Sequence, residues 1–277
     1  MIPIAGLATI AERAGAPLLG ATPVTALPRN REEIDRILPG ARHLVVLGAP
    51  HGRAALASDN VQVAQFDTRY TYDVVSAASH SLVRWLERAG HRTVAVPAFL
   101  PMDMAPPRNG MRGAVDWREA GVQAGLGGRG DCGLLVTAVY GTAVRLGGLV
   151  VDAEVETTAP LAENPCTGCG ACVAACPAGA LTGDGRLDKK KCGDRVFTGG
   201  FRSWRGFLEE LAEAPAPQRQ ALLGSQQALD LWQNFMTGIY YTCWECQASC
   251  PVGRAPVPSP KPHPPGATTA PGPAGPT

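Results

Sequence analysis

Apolar positions in the N-terminal part of the chain follow two different periods. Stretches with apolar residues at helical spacing alternate with short, nearly unbroken apolar runs, which are typical of buried strands. Asn30 is expected to cap the second helix, because its side chain can accept from unpaired backbone N–H groups, and Gly90 is expected to end the third. The order strand, helix, strand predicts a βαβ-like unit and hence an α/β or α+β domain. The predicted helices cover 4–15, 31–38 and 69–88, and the predicted strands cover 43–49 and 93–96.

The periodic pattern weakens after the second strand. Residues 97–113 contain four prolines and three methionines, so they predict a long loop that is either a pocket wall or lid or a plain surface loop. A helix is predicted over 115–124. The glycine-rich segment 125–130 follows it, and glycine there either permits a close approach of the backbone to a ligand or simply forms a turn.

The remaining apolar patterns predict a hairpin, a helical insert and a tail. The hairpin turn falls at 140–142, and Pro215 and Pro217 separate the two helices of the insert. Apolar residues of the insert are expected either to cover a neighbouring site or to form ordinary core. Residues 255–277 are rich in proline and predict a disordered tail. The strands cover 132–139 and 144–151; the helices cover 204–214 and 219–235, with apolar positions at Phe207, Leu208, Leu211, Leu222, Leu229 and Trp232.

Composition and charge narrow the class of protein. The chain has 277 residues, of which 45% are hydrophobic, enough for a packed core. A net charge of +1 provides no basic field for phosphates, so a nucleic-acid partner is not expected. No apolar run approaches the ~20 residues that span a bilayer, and the first residues lack the positive segment of a signal peptide. We therefore expect a cytoplasmic protein with no membrane partner.

Four of the cysteines form a compact metal-binding run. Cys166, Cys169, Cys172 and Cys176 have the spacings x2, x2 and x3 and are followed by Pro177. This is the bacterial ferredoxin run for a 4Fe–4S cluster, in which the first three thiolates bind one cluster and the fourth binds a second cluster. The run therefore requires a partner run elsewhere in the chain.

The partner run lies near the C-terminus. Cys243, Cys246 and Cys250 have the x2 and x3 spacings, but Tyr240 stands where a further cysteine is expected, and Cys192 is the natural substitute. Paired C-x2-C knuckles also build four-cysteine zinc sites, although four cysteines packed into one run that ends in Cys-Pro favour iron–sulfur. Crossed ligation then predicts two clusters. Cluster one is expected to bind Cys166, Cys169, Cys172 and Cys250, and cluster two Cys176, Cys192, Cys243 and Cys246.

The ninth cysteine, Cys132, lies outside both predicted sets. One interpretation is a small buried hydrophobe at the start of a strand, since free cysteine is among the most buried residue types. The other is a thiol that lines a pocket, either as a proton donor or as a ligand to a metal or cofactor. Under the second interpretation Cys132 is a candidate catalytic residue.

The order of these motifs resembles that of epoxyqueuosine reductases and, more distantly, the catalytic half of corrinoid reductive dehalogenases. The shared order is a glycine motif, a hairpin, the first cysteine run, a lone cysteine and the second run, over roughly 40–253. The resemblance implies an N-terminal domain related to nitroreductase-like folds that holds a base-off cobalamin. It also implies that electrons enter at an outer cluster and pass to an inner one. The residues implied beside the cofactor are Gly125, Leu126, Gly127 and Gly130.

The sequence departs from this family at the proton donor. The family has an aspartate sixteen positions before the last glycine of the motif, and counting back from Gly127 gives Met111. The nearest acids are Asp103 and Asp116, and neither aligns without a gap. Asp116 is therefore the second candidate catalytic residue, beside Cys132.

Further departures concern the substrate. The tryptophan, lysine and histidine that usually follow the glycine motif are here Gly128, Asp131 and Cys132, and residues 255–277 stand where the family has tRNA-binding helical repeats. The resemblance nevertheless implies a reductase. Reduction of a tRNA-borne substrate is the third hypothesis.

The leading hypothesis is an α+β iron–sulfur oxidoreductase. Electrons from a donor such as ferredoxin or flavodoxin would pass through two 4Fe–4S clusters to a corrinoid or substrate pocket and reduce a small organic molecule. The second hypothesis is an electron-transfer or adaptor protein without a corrinoid. The expected domains are an α/β cofactor domain over 1–157, a ferredoxin-like double-cluster domain with the helical insert over 158–254, and the tail over 255–277.

Overall fold

The computed structural model describes residues 1–106, 108, 110 and 112–253. Met111 and the tail predicted over 255–277 lie outside the described residues. Strands and helices are mixed along the chain, as the sequence predicts. The strands are β1 (Leu18–Pro23), β2 (His43–Pro50), β3 (Thr93–Val96), β4 (Gly128–Arg129), β5 (Leu135–Val136) and β6 (Val144–Val151). The helices are α1 (Ile4–Arg13), α2 (Arg31–Ile37), α3 (Arg53–Leu56), α4 (Val61–Arg88), α5 (Trp117–Gln123), α6 (Ala171–Ala174), α7 (Lys189–Val196), α8 (Phe201–Glu213), α9 (Ala216–Leu223), α10 (Gln226–Thr237) and α11 (Glu245–Ala248).

A four-stranded antiparallel sheet with the order β1-β2-β6-β3 lies between two layers of helices. Alternate side chains of β2 enter the two cores. Val45 and Leu47 pack with α1 and α4, whereas Leu44 and Val46 pack with α2 and α5. Because both faces are covered, the strand is an unbroken apolar run, and the predicted strands 43–49 and 93–96 are confirmed.

The predicted strand–helix–strand unit is present, with one addition. β2 and β3 are parallel to each other, because each is antiparallel to β6, which lies between them. The connecting helix α4 begins at Val61, eight residues before the predicted start. Its N-cap is Asn60, whose Oδ1 accepts from the backbone N–H of Gln62 at 2.9 Å. The buried face of the early part consists of Ala64, Gln65 and Thr68, whereas the apolar Phe66 is 68% exposed. Its apolar pattern therefore gives no helical signal.

The prediction that Asn30 caps α2 is wrong. Asn30 already has helical backbone angles, and its side chain makes no cap hydrogen bond. Its Nδ2 instead donates to the carbonyl of Ala114 at 2.9 Å, and its Oδ1 accepts from the backbone N–H of Asp116 at 3.4 Å. Asn30 therefore joins the start of α2 to the start of α5.

The predicted hairpin of 132–139 with 144–151 is also wrong. Only Leu135–Val136 forms a strand there, and it pairs with β4 in a separate two-stranded sheet, while β6 joins the main sheet. The cause lies in the glycine segment. A Cβ on Gly127 would lie 2.3 Å from the carbonyl oxygen of Val136, so glycine lets this backbone fold back onto β5.

The helical insert faces solvent more than predicted. The predicted helix 219–235 is divided into α9 and α10, and Ser225 caps the second of these. Of the apolar positions named above, only Phe207 is buried, and Trp232 is 63% exposed. The expectation that these side chains cover the cysteines is therefore wrong for most of them. No helix in the described part of the chain is long and apolar enough to cross a membrane.

Candidate iron–sulfur site

The two cysteine runs have the same local fold. In each run a single helical turn contains the second cysteine of the last C-x2-C pair, Cys172 or Cys246, and precedes the cysteine before the proline. These turns are α6 and α11. In the first run Gly168 and Gly170 have φ values of 66° and 71°, which only glycine adopts freely. The loop can therefore curl and direct its thiols to one side.

Four thiols from both runs line one recess. Cys166, Cys169 and Cys172 of the first run lie there with Cys250, the last cysteine of the second run. Cys169 is exposed, whereas Cys250 is only 8% exposed. These four are called the first group below, and they are the set that crossed ligation predicts for cluster one.

The second group consists of Cys176, Cys192, Cys243 and Cys246. Burial raises the pKa of the Cys192 thiol, and the neighbouring Cys243 and Cys176 raise it further. Burial likewise raises the pKa of Cys246, to which Cys243, Cys192 and Cys176 contribute. These mutual effects require the four thiols to lie near one another. Metal binding here must release protons, because thiolate is the ligand form.

The donor chemistry of both groups fits iron–sulfur clusters. Each group supplies four cysteine sulfurs, which is the ligand number of a 4Fe–4S cluster. Within the described residues, no three His, Cys, Asp or Glu side chains lie close enough together to hold a single metal ion. The cysteines of the first group surround a recess, whereas a tetrahedral zinc site brings four sulfurs to about 2.3 Å from one ion.

Cys132 lies against both groups. It lines the recess of the first group and is 3% exposed. Cys172 lines the same recess, and Cys132 raises the pKa of Cys246 in the second group. Burial raises the pKa of Cys132 to about 12. Cys132 is therefore buried, as expected of a small hydrophobe, although it lies in a turn between β4 and β5 and not at the start of a strand. It also lines a recess, as expected of a pocket thiol.

The close approaches at the glycine segment are made by the chain itself. A Cβ on Gly125 would lie 2.2 Å from the carbonyl oxygen of Ala159, and one on Gly128 would lie 2.1 Å from Oδ1 of Asn164. A Cβ on Gly130 would lie 2.5 Å from a methyl group of Val136. Leu126 packs against the core on the α5 side of the sheet. These glycines serve close packing between α5, β5 and the chain that leads to Cys166.

Asp116 is a helix cap. Its Oδ1 accepts from the backbone N–H groups of Arg118 at 3.2 Å and Glu119 at 3.4 Å, which satisfies unpaired donors at the start of α5.

A cationic group lies beside Asp116. Burial lowers the pKa of Lys189, and Arg112 and Arg118 lower it further. Arg118 also acts on the Cys192 thiol, so these cations lie near the second group.

The second run docks on the N-terminal half through buried hydrogen bonds. Trp244 Nε1 donates to Thr68 Oγ1 at 2.7 Å, and Gln247 Nε2 donates to the carbonyl of Thr142 at 2.7 Å. Gln65 Nε2 donates to the carbonyl of Tyr241 at 3.0 Å. Helix α4 and the start of β6 therefore position Cys243 and Cys246.

A cavity of ≈ 260 Å³ lies next to this junction. Phe99 and Leu100 of the predicted long loop form one wall, which agrees with the pocket-wall interpretation for these two residues. Tyr72, on another wall, stacks on Phe99 with ring centroids 5.0 Å apart. Ile239 lines the cavity four positions before Cys243. The cavity therefore lies beside the segment that leads to Cys243.

The sequence analysis missed a buried histidine–aspartate pair. His51 Nδ1 lies 2.5 Å from Asp67 Oδ2, and the His51 side chain is fully buried. Among the described residues its Nε2 has no hydrogen-bond partner. Burial lowers the pKa of His51 to about 4, and the nearby Arg145 also lowers it, against the opposing effect of Asp67. No spacing signal links His51 to a residue inside a long helix.

Sequence comparisons identify similar proteins. A family profile described as a 4Fe-4S binding domain matches residues 162–182. An epoxyqueuosine reductase from Gloeobacter violaceus is 30% identical over 170 residues, which make up 60% of this chain and 49% of that protein. One from Listeria monocytogenes is 30% identical over 132 residues, 48% of this chain and 28% of that protein. The chain therefore spans less than half the length of these relatives.

Solved structures share the fold at low identity. An epoxyqueuosine reductase with an epoxyqueuosine-modified tRNA-Tyr stem loop has a TM-score of 0.56 at 18% identity and covers 90% of this chain and 65% of its own. A reductive dehalogenase linked to B12-dependent dehalogenation has a TM-score of 0.53 at 17% identity and covers 81% of this chain and 36% of its own. The chain is thus similar in sequence to epoxyqueuosine reductases, has a fold similar to theirs and to that of a reductive dehalogenase, and contains a 4Fe-4S binding domain.

Proposed function

We propose that this chain is an iron–sulfur reductase that binds two 4Fe–4S clusters, one at each group of four cysteines. The observation that carries the proposal is the interleaving of the two runs. Cys250 of the second run lies in the recess of the first group, and Cys176 of the first run lies among the thiols of the second group. This exchange is the arrangement that a two-cluster ferredoxin run requires.

The surroundings of the two groups support a direction of electron flow. Clusters at these positions supply one-electron transfer. The exposed Cys169 leaves the first group accessible to a protein donor such as ferredoxin or flavodoxin. The four thiols of the second group are all half-buried, and the chain from Ile239 to Cys243 runs from the cavity to its ligands. Electrons would therefore enter at the first group and leave from the second toward the cavity.

The substrate that the comparisons support first is epoxyqueuosine in tRNA. The relatives compared above are epoxyqueuosine reductases, and one solved structure contains a modified tRNA stem loop. Arg112, Arg118 and Lys189 beside the second group are suited to phosphate contacts. The net charge of +1 was the reason for expecting no nucleic-acid partner. It is a sum over the whole chain and does not reflect these three neighbouring cations.

An anaerobic turnover assay tests this proposal. Cluster-replete protein, reduced with dithionite, is incubated with an epoxyqueuosine-modified stem loop with and without cobalamin, and the nucleosides are analysed by mass spectrometry. Loss of the epoxide oxygen is the expected result, and Cys246→Ala is the control that should abolish it. If the wild-type protein with both clusters leaves the epoxide intact under every condition, the substrate assignment is wrong.

A second candidate function is an electron carrier that binds no corrinoid. It is favoured by the glycine segment, where Ala159 and Asn164 of the chain itself make the close approaches to Gly125 and Gly128. Titration of cluster-replete protein with cobalamin, followed by visible absorption, separates the two functions. A base-off spectrum at saturation would support the reductase with a corrinoid located elsewhere. Without binding, and with no turnover in the assay above, the carrier function is retained.

A further inference from the structure

Arg145, near the start of β6, is enclosed by aromatic rings. Its guanidinium carbon lies 5.1 Å from the ring centroid of Tyr72 and 5.1 Å from that of Tyr241. The two phenol oxygens lie 3.2 Å apart, within hydrogen-bond distance, so the rings are fixed relative to each other. Because a cation is attracted to the face of an aromatic ring, the Arg145 side chain is held in one place between the main sheet and the second run.

The positive charge of Arg145 has no carboxylate partner. The structure describes every aspartate and glutamate of the sequence, and none of them lies within 4.0 Å of this guanidinium. Among the described residues its buried Nε has no hydrogen-bond partner. The carboxylate of Asp67 already accepts from the Gly52 N–H at 2.8 Å and contacts Nδ1 of His51 at 2.5 Å. Since burying a cation is unfavourable without an opposite charge nearby, the structure provides a cation that needs a negative group.

The second group lies on both sides of Arg145 in the fold. Tyr241, whose ring contacts Arg145, is two positions before Cys243. Thr142 is three positions before Arg145, and its Oγ1 lies 3.4 Å from the carbonyl oxygen of Cys246. Two contacts therefore join the immediate surroundings of Arg145 to segments that carry cysteines of the second group.

A 4Fe–4S cluster at the second group would supply the missing negative charge. Four bound thiolates give such a cluster a net negative charge, and reduction adds one electron. A nearby cation stabilises the reduced cluster more than the oxidised one, because the Coulomb energy is proportional to the charge. Net charge is one of the factors that set the reduction potential, and the effect decreases with distance. The charge of Arg145 should therefore act more on the second cluster than on the first.

We propose that Arg145 provides the counter-charge of the second cluster and raises its reduction potential, which favours the transfer of one electron from the first cluster to the second. In this step the first cluster is oxidised and the second is reduced, while no bond breaks and no proton moves. Arg145 binds neither iron nor substrate, so it is a positioning residue. The inference rests on the proposed function, since it requires both clusters.

The test is an EPR-monitored redox titration of the full chain, purified without oxygen. Arg145→Met and Arg145→Gln remove the charge and keep an unbranched side chain, whereas Arg145→Lys keeps the charge. The matched control is Arg84→Met, which removes an exposed cation twelve positions from Tyr72 on α4, about 18 Å along the helix at ~1.5 Å per residue. The signal of the second cluster is the one that disappears in Cys246→Ala. Iron and sulfide are measured in every preparation.

Both neutral variants should keep the full iron content and have a more negative second-cluster potential. We expect about a three-fold fall in the ratio of reduced to oxidised second cluster at fixed poise, which is about 30 mV at ~59 mV per tenfold change. The ratio for the first cluster should fall less. Arg145→Lys should retain most of the wild-type ratio, and Arg84→Met should leave it unchanged.

Several results would overturn the inference while the clusters remain. These are an unchanged second-cluster potential in the neutral variants, an equal shift in Arg84→Met, or a shift of the first cluster as large as that of the second. If the neutral variants lose about four irons, Arg145→Lys decides: retention of the iron supports the role of the charge, and equal loss shows that only packing matters and overturns the inference. Absence of clusters from the wild-type protein would instead refute the proposed function.

Discussion

Replacing His51 by glutamine should remove a large part of the pH dependence of stability. The pKa of His51 is lowered from 6.5 to about 4 because burial disfavours the charged imidazolium. Between these values the unfolded chain binds a proton that the folded chain does not, so stability rises with pH. The contribution is fully present above about pH 6.5 and is lost as the pH falls toward 4. At 1.36 kcal/mol per pKa unit the full effect is about 3 kcal/mol.

Most of this change in the free energy of unfolding occurs between pH 7 and pH 5. Integrating the same linkage between pH 7 and pH 5 gives a loss of about 2 kcal/mol for the wild-type protein. Glutamine can still donate to Asp67 but does not titrate. His51→Gln should therefore lose about 2 kcal/mol less than the wild type over this range, whatever its stability at pH 7.

The assay is unfolding of the anaerobic holoprotein in guanidinium chloride at pH 5, 6 and 7, followed by far-UV circular dichroism. Cluster loss in acid affects both proteins, so the difference between their pH slopes isolates His51. His80→Gln is the matched control, because His80 is an exposed histidine on α4. If His51→Gln and the wild type have parallel pH profiles, the buried neutral state of His51 is wrong.

Two further predictions concern pairs of matched variants. Cys246 and Cys250 are only four positions apart, yet Cys246→Ala and Cys250→Ala should each lose about four irons from a different cluster, so their EPR spectra should be complementary. The same residual spectrum in both would contradict crossed ligation. Gly127→Ala should lower the free energy of unfolding by about 1–3 kcal/mol, because its Cβ would lie 2.3 Å from a carbonyl oxygen. Gly206→Ala, whose Cβ meets nothing within 4 Å in α8, should raise it by roughly 0.5–1 kcal/mol, and thermal melts of both variants check the contrast.

The parts of the fold that the sequence predicts well have strong local signals. The strand over 43–49 is an unbroken apolar run because both of its faces are covered, and this burial is visible in the composition of the strand itself. The cysteine spacings predict that Cys250 joins the first group, because the geometry of a two-cluster run fixes which thiol crosses over. In the strand the constraint acts on neighbouring residues, and in the cysteine runs it is visible in the spacing within each run, although the two runs are far apart in sequence.

The errors arise where distant parts of the chain decide the structure. β1 has a glycine and a proline within six residues and exists because β2 supplies its hydrogen bonds. The segment 132–139 has strand-like composition, but β6 pairs with β2 and β3 instead. His51 gains its partner from the middle of α4. None of these pairings has a period or spacing that a single sequence displays.

The glycine segment illustrates a more general ambiguity. Glycine permits a close approach of the backbone, but composition does not reveal whether a ligand or the protein makes that approach. Here the approaching groups are the carbonyls of Ala159 and Val136 and the side chain of Asn164. Packing within the protein is therefore sufficient to account for the glycines at these positions.

The central claim is that the chain binds two 4Fe–4S clusters through eight cysteines, and metal analysis combined with Mössbauer spectroscopy tests it most directly. Protein purified or reconstituted without oxygen should contain about eight irons and eight sulfides per chain, with Mössbauer parameters of 4Fe–4S clusters for all of the iron. About two zinc ions per chain, no acid-labile sulfide and full occupancy of the cysteines would contradict the claim.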